Sequence, residues 1–250
     1  GTSNGDVNDN DVFVISPGTA YGIYSANYDG AVEDMTYDHN TVSVDAYAAC
    51  GMELLEANPV VSNNEIIATG NYTYGIVASI VDNTTIENNT IACDGSEVGD
   101  AGTGDSLLPK NSIGISVKGN ALVKDNVVDS TNIGVSTYKA NLTAEGNTIK
   151  ADGDYAIVLD DKSNATLTDN YLASNKGAGN DAVIGGNDVS ASGNSPLNAI
   201  LVAVDLTKVY ADGQQFAAIL VDQHGDALVN KTITLNVGGV ILTNVTDEKG

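Results

Sequence analysis

Arginine and tryptophan are missing from the 250 residues, and ten lysines are the whole basic complement against 33 aspartates and glutamates. The net charge of −23 repels phosphate backbones and anionic bilayers, which argues against nucleic acid and anionic membranes as partners. With no arginine there is no guanidinium fork for bidentate recognition of phosphate or acidic sugars. With no tryptophan the usual platform for stacking on sugar rings is gone, leaving eleven tyrosines to substitute. Long apolar runs are also missing, so no segment reads as a membrane span and no charged-then-apolar leader opens the chain; Gly1 reads as a processed start. Cysteine occurs twice, at Cys50 and Cys93, in neighbouring repeats but at different places within them. That offset predicts buried free thiols rather than a disulfide.

What the chain has instead is a nine-residue phrase that comes back seven times. The clearest copy runs from Asn83 to Ile91: an asparagine, an apolar residue three later, a second asparagine three after that, and an apolar residue two further on. Five copies keep both asparagines, at Asn58/Asn64, Asn83/Asn89, Asn120/Asn126, Asn141/Asn147 and Asn164/Asn170. Their apolar partners are Val61/Ile66, Ile86/Ile91, Val123/Val128, Ala144/Ile149 and Leu167/Leu172. Asp34-Tyr37-Asn40-Val42 opens the series and Asp188-Ala191-Asn194-Pro196 closes it, each with aspartate first. Successive second asparagines lie 24, 25, 37, 21, 23 and 24 residues apart, a period that marks a solenoid.

A glycine-centred triplet precedes each phrase: Tyr21-Gly22-Ile23, Cys50-Gly51-Met52, Tyr74-Gly75-Ile76, Ile113-Gly114-Ile115 and Ile133-Gly134-Val135, then Tyr155-Ala156-Ile157 and a fading Asp181-Ala182-Val183. Each repeat therefore holds three short extended segments with alternate side chains apolar, and nothing sustains helical spacing. Three short strands per turn describe a parallel β-helix of about seven coils over residues 21–196, roughly 30 Å long at about 4.8 Å per coil. Asparagine tolerates the left-handed backbone of a corner, and stacked amides both donate and accept. Asn40, Asn64, Asn89, Asn126, Asn147, Asn170 and Asn194 are thus expected to form a structural ladder, with Asn83, Asn141 and Asn164 also placed as ladder positions.

Residues 1–20 read as a polar lead-in plus one strand, Asp11–Ser16, that no full coil owns and that a neighbour's sheet edge could take up. The segment Asp94–Lys110 is too glycine-rich and acidic for a coil and is expected to loop out and to carry whatever recognition there is; Ser174–Asn180 is a smaller loop. After Pro196 the period stops. Strands at 200–204, 214–221, 232–237 and 240–245, with turns at Ala211–Gly213, Gln223–Asp226 and Gly238-Gly239, read as the first four strands of an incomplete antiparallel sandwich over 197–250.

No catalytic set is predicted. A β-helix hydrolase needs carboxylates facing one groove, and the nearest candidates, Asp160-Asp161 with Asp169 beyond, have no histidine or basic partner. Asp6, Asn8, Asp9, Asn10 and Asp11 present hard oxygens in the spacing of calcium-binding linkers, making calcium the one candidate cofactor; Asp94, Glu97, Asp100 and Asp105 are weaker ligands. Asn71, Asn83, Asn88, Asn141, Asn164, Asn230 and Asn244 head Asn-x-Thr triplets and are glycosylation candidates, Asn71 and Asn88 the better ones. His39 and His224 read as solitary, solvated residues.

On the Tyr-Gly-Ile and Asn-Asn-x-Ile motifs, residues 21–196 resemble the right-handed parallel β-helix repeats of the pectate-lyase-like and NosD-like class. Asp212-Gly213 to Phe216, Val221 to Thr232 and Thr246 to Gly250 resemble the opening strands of bacterial Ig-like modules of the invasin type. Together with the acidity and the Asn-x-Thr triplets, the whole resembles adhesin-like surface proteins of methanogenic archaea. That resemblance implies an extracellular adhesin or structural spacer, possessing as partners a glycan or protein on another cell, or neighbouring subunits of a surface array. The alternative expectation is a carbohydrate-active hydrolase or lyase.

Overall fold

The structure is a computed structural model that describes residues 5–26, 34–55, 58–79, 83–97, 111–196, 199–203, 217–222, 227–237 and 239–250. The chain divides into two compact units, Gly1–Ser195 and Pro196–Gly250.

In the first unit each strand pairs in parallel with its counterpart one coil on, so the polar backbone is satisfied between coils. Three inward rows result. The first face stacks Val7, Tyr37, Val61, Ile86, Val123, Ala144, Leu167 and Ala191 in register. The second stacks Val12, Val42, Ile66, Ile91, Val128, Ile149 and Leu172. The third stacks Ile23, Met52, Ile76, Ile115, Val135, Ile157 and Val183. From Tyr37 to Leu172 these side chains are at most 1 % exposed, and the apolar partners of the five copies that keep both asparagines all lie in this core, whereas Ala191 of the closing copy is exposed. Full burial of each such aliphatic side chain contributes about 1.5–3 kcal/mol, and no coil can achieve it without its neighbours.

Among the described residues the stack has eight coils where the phrase count predicts seven. Gly5–Asn8 and the first half of Asp11–Ala26 make an additional first coil, paired with Met35–Asp38 and Thr41–Leu55. Residues 5–20 are therefore not a lead-in, and Asp11–Ser16 is not a spare strand: Val12 and Val14 pack against the core opposite Val42 and Val44. An intact copy of the phrase, Asn4, Val7, Asn10 and Val12, stands in the sequence; its 30-residue distance from Asn40 hid it. Eight rungs at about 4.8 Å make a stack of roughly 34 Å.

The second and third faces are not separate short strands in the early coils. Asp11–Ala26, Thr41–Leu55 and Glu65–Ala78 run 16, 15 and 14 residues through the bend between them. The glycine row explains how the chain turns into the third face at such close quarters. A Cβ on Gly114 would sit 2.2 Å from Cγ1 of Val128 and 2.7 Å from the carbonyl of Gly134 in the next coil. The same clash with a β-branched residue recurs at Gly22, Gly51, Gly75 and Gly134, opposite Val42, Ile66, Ile91 and Ile149. In the following coil, where the second-face residue is Leu172, which has no branch at Cβ, alanine stands in the row as buried Ala156.

In the second unit Ala199–Ala203 pairs antiparallel with Ala218–Asp222, and Thr232–Val237 with Val240–Val245. The second hairpin turns at Gly239, whose φ of 91° excludes a side chain without strain and whose N–H is donated to Asn236 Oδ1 at 2.9 Å. All four expected strands are present among the described residues; of the second, expected over 214–221, residues 214–216 lie outside the described residues. The expected turns Ala211–Gly213 and Gln223–Asp226, with His224, lie outside the described residues.

Candidate functional site

The recurring asparagines form one continuous chain of amides, buried from Asn40 to Asn194 and exposed at Asn10. Each Nδ2 donates to the next Oδ1 in the order Asn10, Asn40, Asn64, Asn89, Asn126, Asn147, Asn170, Asn194, at 2.9–3.0 Å. The same Oδ1 also accepts the backbone N–H of the preceding rung, as Asn147 Oδ1 does from Asn126 N at 3.0 Å. From Asn40 onward, Nδ2 donates as well to a carbonyl of the coil before, for example Asn126 to Ile86 O at 2.8 Å. Both amide hydrogens and both lone pairs are thereby used inside the protein. The ladder gains Asn10 at one end, and at the other Asn194 donates to Asn180 Oδ1 at 2.9 Å. Asn180 belongs to the loop expected to project at Ser174–Asn180; this loop instead folds into a turn and a 3₁₀ segment, Gly179–Ala182, the one helical element among the described residues.

The left-handed backbone belongs to the residue before each rung rather than to the rung itself. Asp9, His39, Asn63, Asn88, Asp125 and Asp169 have φ of 52–57°, and Gly146 and Gly193 take the same place in two coils. The ladder asparagine is thus selected for its amide, and its neighbour for the turn. At this corner Asp38 accepts from Ser62 Oγ at 2.6 Å, Asn63 Nδ2 at 2.8 Å and His39 Nδ1 at 2.5 Å. These hydrogen bonds, that of Ser62 foremost, hold its carboxyl down to about 2. His39 therefore has a partner and is not a solitary residue.

Asn83, Asn141 and Asn164 are not in the buried ladder. They face outward on the first face, where Asn187 donates to Asn164, Asn164 to Asn141 and Asn141 to Asn120 at 2.9–3.2 Å. This outer row borders a shallow groove of about 280 Å³ lined by Asn141, Thr143, Asn164, Thr166, Asp188 and Ser190, where among the described residues Asp188 is the sole carboxylate. Among the other Asn-x-Thr residues, Asn88 is exposed at a corner, Asn71 donates to Glu97 Oε1 at 2.9 Å, Asn230 lies exposed in a turn and Asn244 in the exposed strand Val240–Val245.

The candidate acids do not converge. Asp160 turns inward and accepts from Lys139 N at 2.9 Å and from Ser163 Oγ, while Asp161 is exposed beside it and Asp169 sits exposed at the ladder corner. Of the run considered for calcium, Asn10 is a ladder rung and Asn8 Oδ1 accepts Asp38 N at 3.1 Å; Asp6, Asp9 and Asp11 are exposed. Among the described residues no group of three or more histidines, cysteines, aspartates or glutamates is placed to hold a metal. The expected loop does not begin at Asp94: Asp94 is exposed within the strand Thr90–Gly95, paired with Thr69, and Glu97 is exposed just beyond it, whereas Asp100 and Asp105, with the rest of 98–110, lie outside the described residues. Glu53 is 4 % exposed on the outer side of the third face, and burial pushes its carboxyl up. Cys50 and Cys93 are free and buried; burial pushes the Cys93 thiol up to about 12 and raises Cys50 well above its ordinary value.

Sequence reasoning missed the aromatic bend between the second and third faces. Tyr47 is 48 % exposed and meets Tyr72 edge-on, with ring centroids 5.6 Å apart. Glu97 accepts from Tyr72 Oη at 2.5 Å, which raises the phenol's pKa, and from Asn71, so one carboxylate ties the start of the insertion to the coil beneath. Also unread was the charge division: 17 of the 33 acids precede Lys110 and no other lysine does. Counting charges by coil would have found it.

A three-faced stack of parallel strands, closed by an internal amide ladder, defines the class of right-handed parallel β-helix proteins. The chain belongs to this family: the family model described as a right handed beta helix region matches residues 3–195. No curated protein and no solved structure matches the chain significantly. No helix among the described residues is long and apolar enough to cross a membrane.

Proposed function

We propose that the protein is a non-enzymatic extracellular adhesin or structural spacer, in which the β-helix is a rigid scaffold and its outer surface the working part. The observation that carries this reading is the amide ladder: the side chains that recur in every coil use their hydrogen-bonding capacity on one another, leaving none for a substrate. Asp160, the acid most favourably placed for catalysis, is likewise committed to Lys139 N and Ser163, and the outer groove presents one carboxylate where a glycosidase needs two.

Acidity, seven Asn-x-Thr triplets and the resemblance to archaeal adhesin-like proteins support the extracellular place and a role within a surface array. The hairpins beyond Pro196 are read as part of an Ig-like module, and calcium at Asp6–Asp11 remains within this proposal. The test is protease shaving of intact source cells followed by glycan-array binding with and without calcium. Release of peptides from this chain and binding to a defined glycan or cell-surface protein support the proposal; a chain protected from shaving overturns it.

A further inference from the structure

The outer side of the second face, over the first four coils, carries two properties that the scaffold does not use. Strand register places Phe13, Ser43, Ile67 and Ala92 in one outward row and Ile15, Asp45, Thr69 and Asp94 in the next. Phe13 is 72 %, Ile15 68 % and Ile67 40 % exposed, and Tyr47 stands at the bend that bounds the face. Water-facing phenyl and branched aliphatic groups cost hydration free energy with no return from the core, which receives Val12, Val14, Ile66 and Ala68 from the same strands. The acids Asp11, Asp45, Glu65, Asp94 and Glu97 lie among or beside these groups and are exposed. The sequence holds no lysine before Lys110, so the strands that carry Asp11, Asp45, Glu65 and Asp94 on this face hold no basic residue. A second copy of the chain would bring a net charge of −23 against the same sign, which disfavours self-association through this face.

We propose that this face docks a basic segment of another protein, one in which lysine or arginine alternates with apolar side chains. The apolar residues would cover Phe13, Ile15 and Ile67, and the cations would meet Asp45, Asp94 and the Tyr47 ring. The proposal deepens the binding role given above and rests on it, but not on the extracellular assignment.

The test titrates the full chain with a fluorescent twelve-residue peptide alternating lysine and leucine, with an oligolysine and a glutamate–leucine peptide of equal length as controls. Phe13→Ser with Ile15→Thr weakens the lysine–leucine complex by about tenfold or more, and Ile67→Thr, on the same face two coils away, weakens it independently. Asp45→Asn with Asp94→Asn weakens it and flattens its salt dependence, while Ile184→Thr with Val189→Thr, exposed elsewhere, changes nothing. Unchanged affinity in the Phe13/Ile15 variant overturns the proposal, as does equal binding of oligolysine. So does sedimentation showing a dimer that the same substitutions abolish, which would assign the face to a second copy. Polysaccharide cleavage by the wild-type chain is a separate readout that removes the non-enzymatic role and leaves these outcomes distinguishable.

Discussion

A ladder asparagine and the residue before it divide one corner between them. Asn126 satisfies Asn89, Ile86 O, Lys124 O and Asn147 at once, so Asn126→Ala orphans several buried polar groups and is expected to cost about 3 kcal/mol or more, measured by urea unfolding. Two acids give opposite pH signatures. Asp38 is held at about 2 against an ordinary 3.8, so its contribution is present above the ordinary value and is lost as pH falls through the folded one. Asp38→Asn should therefore lower stability at pH 7 by under about 1 kcal/mol and flatten the acid limb of a melting-temperature profile. Glu53 is raised by burial, so its contribution is complete below the ordinary 4.5 and is lost as pH rises. Glu53→Gln should raise the melting temperature at pH 8 and leave it unchanged at pH 3. The rung positions were legible in the sequence because an amide has no substitute there. The burial of Glu53 was not, since local alternation places it on an outer side.

Coil-to-coil packing is decided by pairs that sequence spacing does not reveal. Gly114 and Val128 are 14 residues apart, yet the methyl of one fills the space that a Cβ on the other would need. Gly114→Ala is expected to destabilise by about 1–3 kcal/mol, with Val128→Leu in the same chain recovering part of it, as the pairing of Ala156 with the Leu172 coil indicates. Denaturant midpoints of the two single variants and the double close that cycle. The core rows were legible for the same reason as the ladder: Val61, Ile86 and Val123 recur at a fixed offset from it. The first coil was hidden because the 30 residues between Asn10 and Asn40 break the period, although its own phrase is intact.

For the whole molecule, the proposed reading assigns stability and recognition to different surfaces. The interior amide chain and the three apolar rows hold the coils together, and the outer sides are free to vary: amides and hydroxyls on the first face of the later coils, aromatic, aliphatic and acidic groups on the second face of the early ones. The sequence period led to the interior and drew attention away from Tyr47 and from Phe13 and Ile15, beside which the next coil carries Ser43 and Asp45. The central claim is that this scaffold binds and does not cut. It is tested most directly by incubating the full chain with a panel of acidic and neutral polysaccharides, with and without calcium, and measuring new reducing ends and unsaturated products. The account predicts none above a heat-treated control. Cleavage by the wild-type chain that disappears in Asp160→Ala would contradict it.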